Sequence, residues 1–248
     1  MKKTLCAATV LLLLTGVAAL GQEPPRYLSI FTGHTHLGHQ PQYEAAVKEL
    51  WAALNKQGGD FPVFASQSLS SPGDYGFVIA MANMAAADAQ NATFEKLLGA
   101  NGAILAELGK HSKGNESAII AIRADLSYRP DNPRIADGEA GFARVTFLYP
   151  HPAHVPEVEA ALLEFAALSK KSGIRDGYGV YTDAVGGEGP VYTIRSVAKS
   201  EVDYYETAAK NAEAMGEEAA ALRAKVGPML RKIEFSASVP RPDLGYTP

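Results

Sequence analysis

Cysteine is almost missing from this chain: of 248 residues only Cys6 is one, and it lies in the opening apolar run. A disulfide framework, a cysteine nucleophile and a thiolate metal site are therefore excluded from everything downstream. Tryptophan occurs once, as Trp51. No second apolar run approaches the ~20 residues needed to span a bilayer. Signature loops are missing too: no phosphate-binding glycine loop, no paired-histidine zinc-protease helix motif, no calcium loop and no serine-nucleophile elbow occur. Gly186-Gly187-Glu188-Gly189 leads into a strand rather than a helix, so it reads as a hairpin turn.

The chain opens with Met1-Lys2-Lys3 and runs apolar from Leu5 to Leu20. A basic start, a short apolar core and small residues before a polar stretch describe a secretory signal peptide. Ala19 and Gly21 suit the small cleavage positions, which makes Gln22 the expected new N-terminus, with cleavage after Ala19 as the alternative. Cys6 sits too early in the run to be a lipid-modified cysteine. The expected location is periplasmic or secreted. Losing Lys2 and Lys3 from 23 basic residues leaves 21 against 27 acidic ones, a net charge of −6. Such a surface repels phosphate backbones, so nucleic acid is not an expected partner.

An internal duplication organises the rest. His36–Ala52 aligns with His151–Ala167 at a shift of 115 residues, and eight of 17 positions are identical, including the whole His-x-x-His-x-Pro frame. The ends agree as well: Arg123-Ala-Asp-Leu-Ser-Tyr-Arg-Pro130 matches Arg241-Pro-Asp-Leu-Gly-Tyr-Thr-Pro248 at a shift of 118. The expected organisation is a signal peptide (1–21), a first repeat (22–130), a polar linker (131–141) and a second repeat (142–248). In repeat one, alternation predicts strands over 27–35, 61–68, 75–83 and 117–126. Helical spacing covers 41–57 and 84–111, with a break near Gly99–Gly102. Repeat two gives strands over 143–149, 178–183, 191–197 and 231–239, and helices over 156–171 and 201–226.

The order β-α-β-β-α-β in each repeat is the split-βαβ, ferredoxin-like plan. Such a unit covers only one face of its sheet, and two of them solve this by packing sheet against sheet. The fold class is α+β, a fused pseudo-dimeric barrel within a monomer, with further oligomerisation left open. At Gly38-His39-Gln40-Pro41-Gln42-Tyr43-Glu44-Ala45-Ala46 the chain resembles the dimeric α+β barrel superfamily, and within it the antibiotic-biosynthesis-monooxygenase-like domains. That resemblance implies a cofactor-free oxygenase or a binder of flat, electron-rich molecules, in a cleft between sheet and helices. Chlorite-dismutase-like proteins share the two-repeat plan and use a proximal histidine from a helix of the second repeat. Here that repeat has only His151 and His154, both ahead of its first helix, so no cofactor is expected.

The candidate site residues fall into three groups. His34, His36, His39, His151 and His154 are candidate ligand or metal residues, with His111 standing alone in sequence. His34, on the same strand face as His36, could supply a third imidazole in repeat one. Trp51, Tyr149, Tyr178, Tyr181 and Tyr192 are candidate cleft residues, together with Phe147. The repeated ends, carried by Arg123, Asp125, Tyr128, Arg241, Asp243 and Tyr246, read as arms that latch onto the opposite half. No residue is assigned as catalytic. A small aromatic or apolar molecule is the expected ligand; a non-catalytic interaction module and a metal or haem protein are the alternatives. Intact-mass analysis of the exported product should find Gln22 at its start; a product that keeps Met1 and stays with membranes would refute export.

Overall fold

The structure is a computed structural model that describes residues 24–136, 138–186 and 188–248; the expected signal peptide lies outside them. Element order is β1 (Tyr27–Thr35), α1 (Gln40–Lys56), β2 (Phe64–Ser68), β3 (Asp74–Met81), α2 (Ala85–Ala100), α3 (Gly102–His111) and β4 (Ser112–Ile122). Then follow β5 (Phe142–Pro150), α4 (Val155–Lys171), β6 (Tyr178–Val185), β7 (Tyr192–Ala198), α5 (Glu201–Val226) and β8 (Leu230–Pro240). The strands are ordered β1-β3-β2-β8-β5-β7-β6-β4 in a closed barrel. Among the described residues no helix is long and apolar enough to cross a membrane.

Periodicity explains these elements. On α1, Tyr43, Ala46, Val47, Leu50, Trp51 and Leu54 recur at helical spacing and are all buried. The expected helix break falls at Asn101, which ends α2 and precedes α3. β4 begins at Ser112, five residues before the sequence pattern does. Ser112–Glu116 is polar and mostly exposed, and a ladder needs backbone groups rather than apolar side chains to pair.

The chain divides into two compact units, and neither is simply one repeat. One contains the described residues up to Ile120 together with Ser238–Pro248; the other is Ala121–Ala237. Each boundary falls inside the last strand of a repeat. Residues 121–130 therefore belong with the second repeat, and residues 238–248 with the first.

In the first unit, Val63, Ala65, Tyr75, Phe77, Ile79 and Leu97 pack with the α1 face, and Leu244 and Tyr246 of the arm complete this core. The arm is paired as well as packed. Val63 and Tyr246 exchange both backbone hydrogen bonds at 2.8 Å, the Trp51 indole donates to the Leu244 carbonyl at 2.8 Å, and the Tyr246 hydroxyl donates to the Gly59 carbonyl at 2.8 Å. Arg241 grips Glu44 with two nitrogens, at 2.8 and 2.7 Å, and Asp243 with two, at 2.8 and 2.9 Å. Tyr75 donates to the same Glu44 at 2.6 Å.

The second unit repeats the device. Leu126 joins Val158, Leu162, Val180 and Tyr192 in the core. Tyr128 and Tyr178 exchange backbone bonds at 3.0 Å, and the Tyr128 hydroxyl donates to the Ile174 carbonyl at 2.7 Å. Arg123 binds Asp125 through two nitrogens and also donates to Glu159, which accepts from Tyr192 at 2.6 Å. Bidentate guanidinium–carboxylate pairs add geometric specificity as well as energy. The Arg241 and Arg123 guanidiniums are the first cause that holds Glu44 and Glu159 below the usual carboxylate range.

The polar stretch expected to be a linker is also anchored to this unit. Ile135 is buried, and the Arg134 amide donates to the Arg175 carbonyl at 2.9 Å.

Leu244 is 0% exposed and Leu126 1% exposed, so the arms are core elements rather than fraying ends. Leu244→Ala and Leu126→Ala should each cost about 2–5 kcal/mol, the range for truncating a buried leucine. Leu37→Ala, at an exposed leucine, should leave the urea midpoint within error. A change of under ~1 kcal/mol at both buried positions would show that the arms are loose tails.

Candidate functional site

One candidate is a cleft of about 260 Å³ in the second unit, between the β6–β7 face and the helices α4 and α5. Phe165, Tyr178, Tyr204 and Met215 form its apolar walls, while Arg134, Asp176 and Asn211 form a polar end. Strand alternation selects the tyrosine. Tyr178 and Val180 share the helix-facing side of β6, and Phe165 of α4 meets the Tyr178 ring at 5.9 Å between centroids. On α5, Gly216 breaks the helix with φ +58°, directly after Met215. That left-handed conformation suits glycine and strains other residues, so the wall of the cleft carries a built-in kink.

Electrostatics divides the cleft in two. At the polar end Arg134 donates to Asp176 and to Asp203, each at 2.7 Å, and Asn211 donates to the other oxygen of Asp176 at 3.0 Å. Asp203 also accepts from the Lys199 amide, and the Arg134 guanidinium is the first cause that lowers its pKa. At the apolar end, the Tyr178 hydroxyl is buried and has no hydrogen-bond partner. Burial raises the pKa of this phenol well above the ordinary value. Ser169 is near enough to offset part of that rise, but its own proton goes to the Phe165 carbonyl at 2.9 Å. The Tyr178 ring thus walls an apolar hollow that ends in a fixed guanidinium–carboxylate pair, with its buried hydroxyl set behind that surface. Such a site offers the ring surfaces of Phe165, Tyr178 and Tyr204, with Thr207 and Arg223 as further polar groups in its lining.

Haem does not fit this cleft. No histidine lines it, and a cavity of ~150 Å³ holds a single benzene, so 260 Å³ accommodates one or two rings rather than a tetrapyrrole.

The other cleft candidates stand elsewhere. Trp51 is a core residue of the first unit, packed on Phe77, Phe94 and Tyr246. Tyr192 spends its hydroxyl on Glu159, and Tyr149 donates to Glu234 at 2.9 Å. Tyr181 is three residues from Tyr178 and so takes the opposite face of β6, where it is buried. Phe147, one residue from Leu148, likewise lies on the face of β5 away from the helices.

The histidines divide differently from the expected grouping. His34 lies opposite Asp74 in the β1–β3 ladder and bonds it through Nδ1 at 2.9 Å, while its Nε2 is buried without a hydrogen-bond partner. His111, expected to stand alone, meets His39 with their Nδ1 atoms 3.0 Å apart and contacts Glu107 through Nε2 at 3.0 Å. The His36 ring lies 5.6 Å from that of His39. In the second unit His151 and His154 are 6.4 Å apart and meet no third histidine, since all six in the chain are now placed. Among the described residues no group of three or more His, Cys, Asp and Glu is already spaced to hold a metal.

Sequence reasoning also missed the buried Arg195, whose pKa burial pushes down to about 10, and Asp183, which burial pushes up to about 6. Neither lines the cleft.

If the Tyr178 hydroxyl is unsatisfied, deleting it removes a desolvation cost. Tyr178→Phe should leave stability unchanged or raise it by about 1 kcal/mol. A loss of more than ~1 kcal/mol would mean that the hydroxyl makes a bond essential to the fold.

No protein-family model matches the chain, and no curated protein sequence matches it. Solved structures do. A provisionally named monooxygenase from Fusobacterium nucleatum subsp. nucleatum aligns at 13% identity and TM-score 0.58, over 88% of this chain and 94% of its own. An anthrone oxidase-like protein aligns at 14% identity and TM-score 0.57, over 88% of this chain and 92% of its own. Chlorite dismutase from Candidatus Nitrospira defluvii, in complex with imidazole, aligns at 13% identity and TM-score 0.55, over 90% and 94%. At such identities the likeness concerns the fold. With its eight strands closed into a barrel and two β-α-β-β-α-β repeats in one polypeptide, this chain has the dimeric α+β barrel fold in internally duplicated form.

Proposed function

We propose that the protein acts outside the cytoplasm as a binder of a small, flat, one- or two-ring molecule held in the α4–α5 cleft of the second unit. The observation that carries this reading is a hollow walled by Phe165, Tyr178, Tyr204 and Met215, with an unpartnered Tyr178 hydroxyl buried behind it that a shift of the ring would bring to a ligand. A buried donor left without an acceptor costs about 1–3 kcal/mol, which a ligand oxygen placed against it would recover. Phe165 and Tyr204 supply ring faces, and Met215 is a soft filler that adapts to shape. Arg134 and Asp176 neutralise each other, and Arg223 also lines the cleft, so it suits a neutral ligand or one that carries a single polar or anionic group.

Oxygenase chemistry is the second reading, favoured by the names of two neighbours of the same fold. In that case an activated CH₂ of the substrate would be oxidised by O₂ to a carbonyl, with the second oxygen atom leaving as water. Such a reaction needs a base to take the first proton. The carboxylate at the cleft is Asp176, and it is already bound to Arg134 and Asn211. A doubly engaged carboxylate is a poor base, so binding stands ahead of catalysis.

The test is a thermal-shift and fluorescence titration with naphthols, quinones and hydroxylated monocyclic aromatics, paired with an oxygen electrode. Saturable binding should appear and weaken about tenfold in Tyr178→Phe, the loss of one hydrogen bond. Oxygen uptake that depends on substrate and falls in Asp176→Asn would promote the oxygenase reading. Equal affinity in wild type and Tyr178→Phe would reject the proposed site.

A further inference from the structure

The Glu107–His111–His39 chain lies in the first unit and plays no part in the cleft. His36, Leu37, Gly38 and His39 form a turn in which the His39 amide donates to the His36 carbonyl at 3.0 Å, with Gly38 at φ +83°. The His36 amide in turn donates to the His111 carbonyl at 3.0 Å, which fixes the end of α3 against this turn. Three imidazoles from α3 and one tight turn are thereby gathered at one place, with ring centroids 5.6 Å apart for His36–His39 and 5.2 Å for His39–His111.

A carboxylate can only accept, so Glu107 takes the proton of His111 Nε2 at 3.0 Å. Neutral His111 is then left with a bare lone pair on Nδ1. That lone pair faces His39 Nδ1 at 3.0 Å. Two imidazole nitrogens on one tetrahedral zinc ion stand about 3.3 Å apart, from Zn–N bonds of about 2.0–2.1 Å. The observed pair needs to open by only a few tenths of an ångström. Glu107 already occupies the place of the outer carboxylate that orients a ligating histidine.

We propose that His39 and His111 form the preformed part of a divalent-cation site, completed by the exposed His36 after a side-chain rotation, with water in the remaining positions. The ligand is a borderline cation that favours imidazole, zinc first and then copper(II) or nickel(II). Binding displaces the proton shared between the two Nδ1 atoms, which passes through solvent to His39 Nε2, so both ligands stay neutral imidazoles and no proton is released on balance.

The duplication supplies an internal control. The His151 amide donates to the Met229 carbonyl at 2.9 Å, as the His36 amide does to His111, so Met229 holds the place of His111 in the second unit. Lys225 stands where Glu107 would, at the shift of 118 that relates the two halves. His151 and His154 therefore lack both the third imidazole and its carboxylate.

The experiment is titration of the untagged, metal-stripped full-length protein with zinc, read by calorimetry and by elemental analysis after dialysis. One equivalent per chain should bind at micromolar zinc or tighter. His39→Ala and His111→Met should abolish it; methionine is chosen because the fold already carries it at position 229, and a thermal melt checks each variant. Glu107→Gln should weaken binding by about 10–100-fold, the usual effect of losing an outer-shell partner. His34→Ala and His154→Ala should leave it unchanged. Two equal equivalents, full binding in a folded His111→Met, or no binding at ~100 μM zinc would each overturn the proposal.

Discussion

Each arm of this chain is locked by an arginine set between two carboxylates. Arg241 holds Glu44 and Asp243, and Arg123 holds Glu159 and Asp125. A tyrosine hydroxyl from the neighbouring strand, Tyr75 or Tyr192, closes each set by donating to the same glutamate. Once the guanidinium is placed, the leucine three residues further on drops into the core. The tyrosine two residues beyond that pairs by backbone with the strand region at Val63 or Tyr178. Because each arm belongs to the compact unit of the other repeat, neither repeat completes its own core. Exchange of identical elements is a familiar route to dimers, and here it operates within one polypeptide.

The arms also prepare the cleft. Tyr178 has its amide and carbonyl both tied to Tyr128, so the arm of the first repeat sets the position of the phenol that lines the hollow. The corresponding position in the first unit is Val63, and the space around it is filled by Trp51, Phe61 and Phe94. Duplication made two similar frames, and substitution then filled one and left the other open. The histidine turn diverged in the opposite direction: the first unit kept three imidazoles and a carboxylate, while the second has Met229 and Lys225 at the matching places. The two halves share a skeleton and differ in which end carries chemistry.

Much of this was legible in the residues. Alternation and helical spacing located every strand and main helix, because each buries one face and its apolar period follows directly. The repeated Arg-x-Asp-Leu-x-Tyr ends marked the arms, since a polar end interrupted at fixed points by leucine and tyrosine has something to pack against. The glutamates that clamp them were hidden among helix residues of ordinary composition. The cleft was half visible. Tyr178 and Tyr181 lie an odd number of residues apart, so strand geometry alone forbids both from lining one side. Phe165 was readable as an inward residue of its helix, but Met215 and Asn211 were not, because Gly216 breaks the helical period just there. His111 seemed isolated because it is 72 residues from His39; its place follows from the hydrogen bond between the end of α3 and the His36 turn. Aligning it with Met229 would have flagged it as a point where the two repeats differ in chemistry.

The central claim is that the exchanged arms are integral parts of the two cores. Native-state hydrogen exchange at the amides of Tyr128 and Tyr246 tests it most directly, because each donates to the backbone of the unit it joins, at 3.0 and 2.8 Å. If the arms are integral, both amides exchange only through the largest openings, with protection equal to that of the β1–β3 and β5–β7 ladders, which do not pair with the arms. Exchange of either tyrosine amide near the rate of an unstructured peptide, while those ladders stay protected, would contradict the account.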